Sequence, residues 1–113
     1  MSRRDPILLL EDVLDSIRKI RTYTSDTSFD QFLADEKTQD AVVRNFEVIG
    51  EAVNQLPESF VASNSHIEWR KIVAVRNRVI HEYFGVDLAI IWSIVQVDLP
   101  EFEQAIEKLV SAR

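Results

Sequence analysis

The chain has 113 residues with 46% hydrophobic and 28% charged, which fits one soluble domain spanning 1–113 with a modest core. The absence of cysteine excludes disulfide scaffolds, thiolate zinc sites and cysteine nucleophiles, and two glycines with three prolines are too few for an all-β fold. A net charge of −6 excludes a general nucleic-acid binder, because phosphate contacts need Lys and Arg, so any RNA site must be a local basic patch from one chain or two.

Along the chain, Arg3-Arg4 before Ile7-Leu8-Leu9-Leu10 has the charge order of a signal peptide, but Glu11 and Asp12 end the apolar run after four residues. No stretch approaches membrane-spanning length, so the expected location is cytoplasmic, with no membrane partner. Asp5-Pro6 predicts a helix start, with Asp as N-cap and Pro where a missing N–H costs nothing. Leu10, Val13, Leu14, Ile17 and Ile20 give its apolar stripe, which should end near Thr22–Thr24. Ser28-Phe29-Asp30-Gln31 has the capping-box pattern of a short helical turn. A long helix from about Asp35 to Leu56 follows, with Val42, Phe46, Ile49, Val53 and Leu56 on one face. Gly50 lies inside it, where glycine costs about 1 kcal/mol against alanine. Either a neighbouring helix or subunit approaches closely there, or the weakness is simply tolerated.

Pro57 opens a short connecting segment, and Ser65-His66-Ile67-Glu68 predicts a second capping box that starts the next helix, running to about Tyr83. Gly85 is a natural stop, and Asp87 can cap a last helix carrying Leu88, Ile91, Trp92, Val95 and Leu99. Pro100 should kink or break that helix before Phe102, Ile106 and Leu109. The expected fold class is all-α: an antiparallel bundle of four main helices plus short helical turns. Trp69 and Trp92 fall in apolar stripes and are read as core.

The chemistry is concentrated between Ile67 and Gly85. On a helix at roughly 100° per residue, Trp69, Ile72, Val73, Val79, Ile80 and Tyr83 fall within roughly 60° of Arg76. An arginine in the middle of an apolar face needs an acidic partner, a wet cleft or an anionic ligand. Glu47 and Glu51 are the candidate carboxylates for a buried ion pair. Asn77 and His81 lie one turn apart on the flank, with Arg70 between them in angle. Arg70, Lys71, Arg76 and Arg78 against Glu68 and Glu82 make this helix locally positive. RNA cleavage by its own 2′-hydroxyl needs a proton acceptor, a proton donor and a cation for the phosphorane oxygens. His titrates near neutrality, Arg offers a permanent planar fork, and Tyr can donate a hydrogen bond. The plainer readings are a solvated basic face, an exposed His81 without a role, and a Tyr83 in the core with its hydroxyl at the rim. His66 falls in a first helical turn and is given no role. Two histidines without cysteine do not suit a zinc site, and no phosphate loop, serine-nucleophile or deaminase motif is present.

Arg76-Asn77-Arg78-Val79-Ile80-His81-Glu82-Tyr83 resembles the Arg-x4-His-x-Tyr signature of the HepT-like branch of the HEPN family. Arg44-Asn45-Phe46-Glu47-Val48-Ile49-Gly50-Glu51-Ala52 is similar to the family's second-helix signature. Trp69-Arg70, Phe84-Gly85-Val86-Asp87 and Trp92 also match, so the resemblance covers nearly the whole chain. It implies a HEPN bundle whose homodimer lines a shared cleft with two motif helices. It implies the toxin of a toxin–antitoxin pair: a metal-independent endoribonuclease, without cofactor, acting on RNA. Its implied partner is a minimal nucleotidyltransferase antitoxin of the MNT kind, which in some systems transfers AMP onto the motif tyrosine. Carried over, Arg76 and His81 are the catalytic pair, Tyr83 is the modified residue, and Asn77, Arg78 and Arg70 support substrate binding. The competing expectation is a non-catalytic helper that binds nucleotide or substrate for such a nucleotidyltransferase. The acidic net charge favours the helper; the full Arg, His and Tyr set favours the nuclease.

Overall fold

A computed structural model describes residues 5–85 and 87–112. Arg3, Arg4 and Val86, noted above, lie outside the described residues. Among those described there are six helices and no strand: α1 (Pro6–Thr24), α2 (Phe29–Leu33), α3 (Glu36–Asn54), α4 (Glu58–Ser63), α5 (Trp69–Gly85) and α6 (Leu88–Ser111). The four long helices form a closed ring of neighbours, with α1 on α3, α3 on α5, α5 on α6 and α6 back on α1. This is the all-α bundle of four main helices, with α2 and α4 as the short ones.

The helix starts follow from local chemistry. The Asp5 carboxylate accepts from the Ile7 N–H at 2.8 Å, with Pro6 in the first turn. At α2, Ser28 Oγ accepts from the Gln31 N–H at 3.1 Å and Gln31 Oε1 accepts from the Ser28 N–H at 2.8 Å, a complete capping box. Asp35 caps α3 by accepting from the Thr38 N–H at 3.1 Å and the Thr38 hydroxyl at 2.6 Å. Those two bonds, the hydroxyl's first, hold the Asp35 carboxyl below its ordinary value of 3.8. Asp87 caps α6 by accepting from the Ile90 N–H at 3.4 Å.

Each long helix turns its apolar stripe inward. Leu10, Ile17 and Ile20 of α1 meet Val42, Phe46 and Ile49 of α3, and Val79, Ile91, Leu99 and Ile106 complete one continuous buried cluster. Phe32 of α2 is fully buried, its ring 5.2 Å from that of Trp92. Trp69 is core as expected, whereas Trp92 is half-buried. Buried Gln39 donates to the Phe32 and Leu33 carbonyls, satisfying the end of α2.

Four local expectations are corrected. The segment after Pro57 is helical, forming α4 with Pro57 at its N-cap. Ser65 does not open α5; residues 64–67 form a turn, and α5 begins at Trp69. Ile67 and Trp69 are both buried, and the Trp69 indole N–H donates to the Asn64 carbonyl at 3.0 Å, so tertiary burial overrides the capping pattern. Gly85 is the last residue of α5 and has no positive φ. The helix instead closes through the Asp87 N–H, which donates to the Glu82 carbonyl at 2.8 Å. Finally, Pro100 lies inside an unbroken α6. Its missing N–H would have served the Gln96 carbonyl, but Gln96 is exposed and lines with Pro100 an open cleft of 640 Å³, where water can replace the bond.

Candidate active site on the fifth helix

Helix α5 crosses α3 and α6 with Trp69, Ile72 and Val79 buried beneath it. That seat fixes the rotation of the helix and therefore the direction of every polar side chain on it. Arg76 lies in the α3-facing row. Its stem runs directly over the backbone of Gly50: a Cβ built there would stand 2.3 Å from Arg76 Nε, 2.8 Å from Cγ and 3.0 Å from Cδ. Of the two readings of Gly50, the close approach is the one observed, and a side chain from α5 makes it.

Arg76 has no carboxylate partner among the described residues; neither Glu47 nor Glu51 closes the ion pair considered from sequence. Both glutamates are exposed and face a groove between α1 and α3 with Arg44. Arg76 Nε is buried without a hydrogen-bond partner among the described residues. An unsatisfied buried donor of this kind costs about 1–3 kcal/mol. The terminal nitrogens are not among the fully buried, unpartnered atoms, so they keep some contact with solvent.

Tyr83, two turns further along the same row, is half-buried. Its hydroxyl donates to Asp40 Oδ1 of α3, and its ring meets that of Phe84 edge-on at 5.7 Å. Asp40 is a site neighbour that sequence reasoning missed. It stands 43 positions away, and no local pattern links the two.

The other candidates occupy a second row. Arg70, Ala74, Asn77, His81 and Phe84 follow one another at steps of four, three, four and three, and all are exposed. Phe84 ends the row at 78% exposure, unusual for so large an apolar ring. Arg70 and Asn77 border a groove of 360 Å³ between α3, α4 and α5, floored by Val53 and Trp69. His81 is exposed and makes no hydrogen bond or ion pair among the described residues. Within one chain the structure therefore places Arg76 and Tyr83 on one row, and Arg70, Asn77 and His81 on the adjoining one.

The basic patch is smaller than the residue count suggests. Arg78 Nε lies 4.0 Å from Glu82, and Lys71 Nζ lies 3.8 Å from both Glu68 and Glu101. These pairs are exposed and weak, yet they offset two of the four cations. Arg70 and Arg76 remain without a carboxylate among the described residues.

The sequence profile of the family described as "Ribonuclease HepT-like" matches residues 13–109. A candidate RNase of Methanocaldococcus jannaschii is 41% identical over 97% of this chain and 91% of its own length. A protein of Thermococcus cleftensis named probable ribonuclease HepT is 41% identical over 88% of this chain and 91% of its own. A candidate RNase of Caldanaerobacter subterraneus subsp. tengcongensis is 35% identical over 95% and 96% respectively. No solved structure matches the chain significantly.

Proposed function

This chain belongs to the HepT-like ribonuclease family, and from that premise we propose that it is a metal-independent endoribonuclease whose cleavage site is Arg76, His81 and Tyr83. The observation that carries the reading is Arg76: a guanidinium held on an apolar helix face, with no carboxylate among the described residues to neutralise it and its terminal nitrogens not sealed off as Nε is. Such a cation is suited to a phosphate. In the proposed reaction a base takes the proton of the RNA 2′-hydroxyl, and the 2′-oxygen bonds to the adjacent phosphorus. The bond to the 5′-oxygen breaks, and an acid returns a proton to that leaving oxygen. Arg76 stabilises the charge that builds on the non-bridging oxygens. His81 has the one side chain in the set able to carry the proton near neutral pH.

One site histidine per chain cannot take and give a proton at the same instant. A two-fold homodimer supplies a second His81. The exposed row ending in Phe84 supports this arrangement, because its last ring offers a second copy an apolar anchor. Arg70, Asn77 and Arg78 would then guide the RNA backbone into the shared cleft.

The protein is further proposed to act in the cytoplasm as the toxin of a toxin–antitoxin pair, held in check by an MNT-type nucleotidyltransferase that transfers AMP onto Tyr83. Tyr83 is half-buried, and among the described residues its hydroxyl is engaged by Asp40 alone. Adenylylation would remove the proton donated to Asp40 and set a phosphate where the RNA backbone must lie. Repulsion and blocked access would both oppose cleavage. The helper reading draws its support from the net charge of −6 and the offset lysine and arginine at 71 and 78.

The test is incubation of purified protein with total RNA and tRNA in excess EDTA, with Tyr83 shown unmodified by mass spectrometry. Fragments ending in a 2′,3′-cyclic phosphate are expected. Intact RNA would favour the helper.

A further inference from the structure

We propose that Gly50 is a positioning residue for Arg76, and that it makes the arginine grip phosphate end-on through its two terminal nitrogens. The proposal rests on the reading of Arg76 as the phosphate-binding cation of an RNA-cleaving site.

Gly50 sits mid-helix in α3 and is itself buried. No positive φ explains a glycine there, and Ala is the better helix former. What does explain it is the space above its Cα, filled by the Arg76 stem. The two shortest approaches are to Nε at 2.3 Å and to Cγ at 2.8 Å. Nε could move if the end of the chain swung aside. Cγ is set by the first side-chain torsion, so clearing a Cβ there requires a new rotamer for the whole arginine, or a shift of α5.

The same packing decides which donors a ligand meets. Nε is buried with no partner, so a side-on grip through Nε and one terminal nitrogen is closed off. The terminal pair is the part left open. A carboxylate partner would have fixed the fork by itself, but none is present among the described residues. Shape does that work here: the glycine surface of α3 holds the stem, and the charge stays available to the substrate. Misplacing a catalytic group by about 1 Å can cost about 100-fold.

The test has two independent readouts. Single-turnover RNA cleavage is measured for wild type, Gly50→Ala, Arg76→Ala and the double variant, each checked for folding by a thermal melt. Gly50→Ala is expected to lose about 100-fold in rate, and to cause no further loss in the Arg76→Ala background. Wild-type cleavage by folded Gly50→Ala, with Arg76→Ala impaired, would overturn the positioning role and leave the nuclease reading standing. So would an equal loss from Gly50→Ala in both backgrounds. Wild-type cleavage by Arg76→Ala would overturn both. The second readout needs no activity, and its first arm needs only the wild-type protein. The Arg76 Nε–H signal in a nitrogen-15 spectrum should exchange with water more slowly than those of Arg70 and Arg78. In Gly50→Ala it should become as fast as theirs. Equally fast exchange in wild type would also overturn the proposal.

Discussion

At the scale of the residue, the proposed site draws on two side chains of α5 that α3 receives differently. The Arg76 stem lies over the backbone of Gly50, and the Tyr83 hydroxyl donates to the Asp40 carboxylate. Arg76→Lys keeps a positive charge but loses the fork, so it should fold normally while RNA cleavage falls about 100-fold or more, as removal of a preorganised donor does. A rate near wild type would mean that charge alone suffices. Asp40→Asn should lower stability by about 1 kcal/mol or less in urea melts, because the contact is exposed. A larger loss would make Asp40 a structural member of the bundle. The place of Arg76 in the apolar row could be read from a step of 100° per residue, as could the flank positions of Asn77 and His81. Asp40 could not be read, because a hydrogen bond between residues of different helices leaves no periodic trace. Gly50 was half-legible: a glycine within a helical pattern signals close approach, but not what approaches.

At the scale of the element, helices were legible wherever stripe and cap agreed, and misread where one local signal was taken alone. Asp5, Ser28, Asp35 and Asp87 cap as their residue types require. Ser65 has the same signature but loses to the burial of Ile67 and Trp69. Pro100 predicts a kink or a break; the break does not occur, because α6 continues and the freed Gln96 carbonyl faces open space. Pro100→Ala should therefore raise stability, by about 1–3 kcal/mol on the helix-propensity difference, measured by urea denaturation; a decrease would mean that the bundle needs the proline's shape. The Asp35 cap carries a pH signature. Its folded-state carboxyl is lowered relative to 3.8, so its stabilisation is present above that value and lost as pH falls through the folded one. Asparagine caps equally well and does not titrate. The melting temperature of wild type should therefore fall more steeply below about pH 4 than that of Asp35→Asn, and identical acid limbs would contradict the capping bonds. The pairing of Arg18 and Arg21 of α1 with nearly buried Glu103 of α6 was not foreseen, since stripe analysis sees only apolar residues.

At the scale of the whole molecule, the fold class was the easiest property to read and the working assembly the hardest. Periodicity reports what one chain buries; it says little about a surface left for a second copy. A chain of net charge −6 that cleaves RNA must bind it with few contacts. If Arg70 and Arg76 of two subunits make four phosphate contacts, log affinity for single-stranded RNA should fall with log salt at a slope of about −3. Arg70→Ala should reduce that slope by roughly half; an unchanged slope would remove Arg70 from the RNA path. The proton-carrying role of His81 is tested by single-turnover cleavage of RNA in excess EDTA by wild type beside His81→Ala, with both shown to be folded and unmodified at Tyr83. Cleavage by wild type, reduced by at least about 100-fold in His81→Ala, is the predicted result. Equal cleavage by the two proteins would contradict the claim that His81 carries the proton.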